Sequence, residues 1–210
     1  RNPVPYYAAA AEALDHEISR VLRATGDEGL ENTWVIFVGD NGTPGRVIPA
    51  PRTRTVAKGT LYEGGIHVPL VIAGPAIDEG GRTVDAPVNL VDVFRTVAAL
   101  AGRTGAIVDD GRPIDSVSLL PYLHSSTADA QRDWIYSELF GPEIDTASAG
   151  QTARTGRYKL IRFNDGESAF FDLLEDPMET HNMIDAALAP EAQVALGELG
   201  AAIDTLNGDP

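Results

Sequence analysis

The stretch Trp34-Val35-Ile36-Phe37-Val38-Gly39-Asp40-Asn41-Gly42 decides how this chain is read. Its first five residues form a continuous apolar run bounded by turn residues. Such a run fits a strand buried on both faces, as in a parallel sheet covered by helices. Upstream, the spacing of Tyr7, Leu14, Ile18, Val21 and Leu22 predicts a helix over about Pro5 to Arg23. Gly26 and Gly29 then break the chain. Helix, glycine-containing turn and buried strand make half of an α/β repeat.

Working downstream, the region from Gly42 to Thr60 reads as loop, because Pro44, Pro49 and Pro51 each lack a backbone donor. A second buried strand is predicted over Val68 to Ala73. A helix follows over about Leu90 to Ala101, with Asn89 as N-cap, Asp92 in the positive first turn and Gly102 as the stop. From Asp133 the character changes. Trp134–Phe140, Gln151–Thr155, Arg157–Phe163 and Ala169–Leu173 are short strand-like segments, and Asn164-Asp165-Gly166-Glu167 is a hairpin signal. Consecutive strands without helices between them imply an antiparallel sheet. A last helix is predicted over about Pro190 to Leu206, with Val194, Leu199, Ile203 and Leu206 on one side. The expected organisation is an α/β region over residues 1–132 and a small antiparallel β subdomain with a packing helix over residues 133–210.

Composition narrows the function classes. The chain has 210 residues, 43% of them apolar, which allows one sizeable core. Its 31 acidic and 16 basic groups give a formal charge of -15. That balance argues against a nucleic-acid partner, whose phosphates require a basic face. Cysteine is absent, so disulfides, thiolate metal sites and a cysteine nucleophile are excluded within these residues. No apolar run approaches the roughly 20 residues of a membrane helix. Arg1-Asn2-Pro3-Val4-Pro5 lacks the apolar stretch of a signal peptide, and the chain does not open on Met. Arg1 therefore reads as the start of a fragment or of a processed chain.

Two constellations carry chemistry. Asp40 and Asn41 follow the first strand, and in open α/β sheets ligands bind beyond the carboxyl ends of strands. Their side-chain oxygens suit hard cations such as calcium or magnesium over zinc. The plainer reading is an Asn-Gly hairpin turn. Pro44 weakens it, since a proline interrupts any return strand. The second constellation is Lys58-Gly59-Thr60-Leu61-Tyr62-Glu63-Gly64-Gly65. Between Asn41 and Tyr62 lie Arg46, Arg52, Arg54 and Lys58 and no acidic residue. In so acidic a chain, this reversal is what an anionic group would require. The alternative is a solvated loop. Gly64-Gly65 reads as a turn, and His67 reads as a packed residue rather than a catalyst.

Taken together, residues 34–42 and the segment Lys58 to Pro69 resemble the sulfatase family of the alkaline phosphatase superfamily. The resemblance extends to the helix before the first strand, to Val88 through Gly102, to Thr155 through Leu160, and to Phe171 through Asn182. It implies part of a three-layer α/β/α sandwich with a smaller C-terminal antiparallel sheet and a terminal helix. It implies that Asp40 and Asn41 coordinate one calcium ion (Ca2+) and that Lys58 contacts the sulfate group. The family nucleophile is a formylglycine made from Cys or Ser in a Cys/Ser-x-Pro/Ala-x-Arg motif. No stretch here fits that motif, and in Ser118-Leu119-Leu120-Pro121 the proline is misplaced. The nucleophile, the paired aspartates that complete the metal site and the leaving-group histidine belong to the family's N-terminal half. That half would be this chain's partner, and the 210 residues by themselves are expected not to hydrolyse sulfate esters.

His67 stands where arginine is usual, and arginine alone is permanently charged and bidentate. The implied substrate is a small-molecule or carbohydrate sulfate ester, and the implied location is periplasmic or secreted. Two other readings stay open: a phosphatase or phosphodiesterase of the same superfamily, and a non-catalytic sulfatase-like protein.

Overall fold

Residues Val4–Leu30 form the first helix, α1, which runs past the predicted end at Arg23. Gly26 sits inside it with φ +71°, and this non-helical residue kinks the helix where the sequence predicts a break. The computed structural model describes residues 2–75, 77–103, 114–125 and 127–208. The chain divides into two compact units, Arg1–Pro75 and Ala76–Pro210.

In the first unit, β1 (Val35–Val38) and β2 (Leu70–Ala73) form a two-stranded sheet. The expected parallel arrangement is corrected here: Val35 pairs with Ala73 and Val38 with Leu70, so the strands are antiparallel. A parallel pair needs a crossover, usually a helix. The connection instead holds only a 3₁₀ turn at Arg54–Val56 and the single-turn helix α2 (Glu63–Ile66). Nor are the strands buried on both faces, since Phe37, Val38 and Val71 are exposed. The predicted turn at Gly64-Gly65 is α2 itself.

In the second unit, α3 (Asp92–Leu100) starts two residues later than the spacing of its apolar residues suggests. The N-cap position falls on Val91 rather than on the expected Asn89. The Asn89 carbonyl accepts from Asp92 N at 2.9 Å, while the Asn89 N–H donates to Asp92 Oδ2, also at 2.9 Å. The buried side of α3 is polar, Asp92 and Thr96, whereas Leu90, Phe94 and Val97 are exposed. Thr96 Oγ1 bonds the Asp92 carbonyl and receives Leu119 N, which tethers the segment leading into α4 (Leu120–His124).

Four strands, β3 (Ile135–Leu139), β4 (Gly150–Arg154), β5 (Tyr158–Phe163) and β6 (Ser168–Asp172), form an antiparallel meander in sequence order. The predicted hairpin closes β5 onto β6, with Arg162 opposite Ser168 and Gly166 at φ +96°. Helix α5 (Pro190–Asn207) packs on this sheet. Pro190 opens it without loss of a helical bond, and Gly208 closes it at φ +74°. Its buried face is Ala192, Ala195, Leu199, Gly200, Ala202 and Ile203, of which Ala192, Ala195, Leu199 and Ile203 share a core with Ala153, Tyr158, Leu160 and Phe170. The expected stripe is corrected at both ends, because Val194 and Leu206 are exposed. Small residues let the helix approach the sheet closely.

A bidentate contact ties the start of β5 to the end of β6: Arg157 donates to Asp172 from Nε at 3.1 Å and from Nη2 at 2.8 Å. The Arg157 guanidinium holds the Asp172 carboxyl below the usual carboxylate range. A carboxylate with a depressed folded-state pKa contributes stability above its unfolded value of about 3.9, and that contribution is lost as pH falls through the lower folded value. Asp172→Asn is therefore expected to lower the melting temperature at neutral pH. The gap to wild type should close as pH is taken down to about 2. A gap that stays constant over this range would show that the ionised pair contributes nothing.

Candidate functional site

All three sequence-predicted site residues, Asp40, Asn41 and Lys58, lie in the first unit. The path after β1 is set by backbone pairing. Gly39 N donates to Pro69 O at 3.0 Å, one step beyond the ladder. Gly42 N then donates to Gly65 O at 2.8 Å and Thr43 N to Gly64 O at 3.2 Å. On the far side, Lys58 N donates to Thr43 O at 2.9 Å. The Asp40–Thr43 segment is thus clasped between α2 and the Lys58 loop. Lys58 reaches it only two residues from Asn41, a distance of at most about 7 Å along the chain.

Glycine makes this crossing possible. A Cβ on Gly42 would lie 2.1 Å from the carbonyl oxygen of Gly64 and 2.7 Å from Gly65 Cα. On Gly64 it would lie 2.1 Å from Val56 O, and on Gly65 2.2 Å from Thr60 O. No real side chain tolerates such contacts with backbone. Three backbone segments are stacked at distances that only glycine permits. Ala57 and Leu61, both 1% exposed, anchor the Lys58 loop from below. Gly59 turns it at φ +87°.

The functional groups themselves are unspent. Asp40 and Lys58 are exposed and Asn41 is half-buried, and none of the three side chains has a hydrogen-bond or ion-pair partner among the described residues. Asp40 and Asn41 offer a carboxylate and an amide oxygen, a donor set that fits a hard cation. Among the described residues no group of three or more His, Asp or Glu side chains can hold a metal, so this pair is at most part of a coordination sphere. The expectation of a packed His67 is corrected here: the histidine is exposed, and its Nδ1 lies 3.0 Å from Oε2 of the buried Glu63. His67 therefore serves the α2 turn as a partner for Glu63.

Sequence reasoning missed two features. The first is the glycine stack, since Gly42 reads as half of an Asn-Gly turn and Gly64-Gly65 as a turn of its own. The signal available was three glycines flanking two polar clusters. The second is Arg132. Its Nε donates to Asp92 Oδ2 at 2.8 Å and to Oδ1 at 3.0 Å, which turns the expected helix-dipole residue into half of a buried ion pair. That contact spans 40 residues and no local pattern announces it.

Comparison with known proteins agrees with this architecture. Residues 1–103 match the Sulfatase family model, and residues 54–202 match the model for N-sulphoglucosamine sulphohydrolase, C-terminal. The chain belongs to the sulfatase family. Its fold is that of the C-terminal portion of an alkaline-phosphatase-like α/β protein. Arylsulfatase K of Xenopus laevis is 32% identical over 197 residues, an alignment that covers 89% of this chain and 34% of that protein. The chain thus spans about a third of the length of the curated relatives it matches. A solved structure in complex with its substrate D-glucosamine-2-N,6-O-disulfate superposes with TM-score 0.78 at 26% identity, over 97% of this chain and 40% of that one. The phosphonate monoester hydrolase of Agrobacterium radiobacter superposes with TM-score 0.71 at 25% identity, over 93% of this chain and 39% of its own.

Proposed function

We propose that this chain supplies the calcium and sulfate-binding residues of a sulfuric ester hydrolase whose formylglycine nucleophile lies in the remainder of the protein. The observation that carries the reading is the backbone crossing at Thr43, which puts Asp40, Asn41 and Lys58 around one loop with their polar ends unspent. Asp40 and Asn41 would hold the calcium ion through their side-chain oxygens, and in that place the ion would supply Lewis-acid polarisation of the ester. Lys58 donates from Nζ to a sulfate oxygen and offsets the negative charge that grows as the ester bond breaks. Overall, water is consumed, the sulfur–oxygen bond to the alcohol is cleaved, and sulfate and alcohol leave. The proton for the alcohol comes from an acid outside this chain.

The substrate class is a carbohydrate sulfate ester, supported by the sulfated sugar held by a structural relative. Residues 1–132 belong to the catalytic α/β domain and residues 133–210 to the C-terminal subdomain. The remainder of the protein covers the exposed apolar positions of α1 and α3, such as Leu14, Val21, Phe94 and Val97. A periplasmic or secreted location suits such a substrate. No helix is long and apolar enough to cross a membrane among the described residues.

The test is made in the whole protein. Asp40→Asn is expected to raise the calcium concentration needed for half-maximal turnover. Lys58→Ala is expected to lower kcat/KM on a sulfate ester by roughly 100-fold or more, with calcium affinity retained. The likeness to a phosphonate monoester hydrolase favours a second reading, hydrolysis of a phosphorus ester. Zinc-dependent turnover of a phosphodiester or phosphonate ester, with calcium ineffective and sulfate esters inert, would establish that reading in place of the first.

A further inference from the structure

The turn that seats Asp40 and Asn41 is poorly held by its own residues. Helix α2 is a single turn, and its N-cap, Tyr62, makes no side-chain cap bond. One turn has no cooperative reserve of helical bonds. Its middle residues are Gly64 and Gly65, which the close crossing requires and which carry no side chain to anchor the backbone. Yet the carbonyls of these two glycines receive Thr43 N and Gly42 N, and so fix the path of the segment that carries Asp40 and Asn41. Something outside the glycines has to hold α2 in place.

Glu63 and His67 bracket those glycines. Glu63 O accepts from His67 N at 2.9 Å, and Glu63 Oε2 lies 3.0 Å from His67 Nδ1. The same two residues are thus joined twice across the turn, once through backbone and once through side chains. Glu63 is 5% exposed and is the one buried charged residue among the described residues of the first unit. Burying a carboxylate is costly unless its partners are fixed. A carboxylate so fixed gives the turn a rigid point that two glycines cannot supply. The His67 side chain is 69% exposed, so the pair adds little to global stability. Its effect is local, on the direction of the Gly64 and Gly65 carbonyls.

We infer that Glu63 and His67 are positioning residues for the Asp40–Asn41 pair: by closing α2 they aim the Gly64 and Gly65 carbonyls at the segment after β1 and so set the affinity for calcium. Neither side chain bonds to Asp40, Asn41 or Lys58. The action runs through two backbone bonds, Gly42 N to Gly65 O and Thr43 N to Gly64 O. The inference rests on the sulfatase reading of Asp40 and Asn41.

Calorimetric titration of calcium into the whole protein tests this, with kinetics alongside. His67→Leu should weaken calcium binding roughly tenfold, the lower end of what loss of a supporting contact costs a metal site. His67→Arg keeps a charged donor and should stay within about threefold of wild type. At saturating calcium His67→Leu should recover most of its kcat, because the bound ion favours the seated arrangement of Asp40 and Asn41. The melting temperature without calcium should hardly move. Glu63→Gln should weaken calcium binding as well, and adding His67→Leu to it should cost little more, as expected of two residues acting as one unit. His124→Ala removes an exposed histidine that faces Asp78 at 3.7 Å in the second unit, and it should change none of these quantities. Wild-type calcium affinity in His67→Leu, a loss that His67→Arg fails to restore, additive losses in the double variant, or a loss matched by a collapse of the calcium-free melting temperature overturns the inference. Wild type separates the two levels. Where it binds calcium and needs the ion to turn over a sulfate ester, any of these outcomes removes only the positioning role. Where it does neither, the sulfatase reading of the site falls as well.

Discussion

Gly42→Ala is expected to cost the whole protein at least about 100-fold in kcat/KM, although the substitution adds one methyl group and touches no proposed ligand. The added carbon would sit 2.1 Å from Gly64 O, and that oxygen belongs to backbone already bonded to Thr43 N. Neither partner can yield cheaply. Gly64 is itself pressed on Val56 O and Gly65 on Thr60 O. Relief comes only by moving the Asp40–Thr43 segment away from α2, which disturbs its bond to Lys58 N, and a shift of about 1 Å between catalytic groups suffices for a loss of that size. The calcium requirement should rise at the same time, because Asp40 and Asn41 move with Gly42. Gly197→Ala is the control, since nothing lies within 4 Å of a carbon added there. In an α-helix that change should be neutral or slightly stabilising. Wild-type kinetics for Gly42→Ala would show that the crossing does not position the site.

The second large effect concerns the second unit. Arg132→Ala is expected to lower stability by roughly 3–5 kcal/mol, measured as the shift of the urea unfolding midpoint multiplied by the m-value. Asp92 is fully buried and accepts from Arg132, Val117 N and Asn89 N. The contact with Asp92 raises the affinity of the Arg132 guanidinium for its proton. Deleting the arginine leaves a buried carboxylate with only backbone donors, and a charge in that environment is costly when unpaired. The double variant Asp92→Asn with Arg132→Met should recover much of the loss, because replacing both partners removes the stranded charge. If the double variant is as unstable as Arg132→Ala, the pair's charge is not what matters, and packing of the arginine stem carries the effect.

Both expectations rest on contacts that the sequence does not announce, whereas other parts of the molecule are legible in it. The meander of β3 to β6 is local. Each strand pairs with its neighbour in the chain, the turns from β4 to β5 and from β5 to β6 are short, and Gly166 marks the second of them, so period and punctuation suffice there. The boundaries of α5 are equally plain, with Pro190 at one end and Gly208 at the other. The direction of β1 against β2 is different. An apolar run reports that a strand wants cover and says nothing about which way its partner runs. Here the partner lies beyond a connection without a crossover helix, and the pairing turns out antiparallel. The apolar stripe of α3 likewise predicts a helix correctly while its polar side is the one buried in this unit.

By itself the sequence determined the element types, the meander, the family and the residues with chemistry to offer, because those depend on side-chain identity and on short-range spacing. The tertiary structure decided that Lys58 meets the Asp40–Asn41 loop, that three glycines hold the crossing together, and that Asp92 belongs to Arg132. Each of these depends on which distant backbones come within a hydrogen bond of one another. Such closeness arises only when the whole chain packs, so no window of neighbouring residues encodes it.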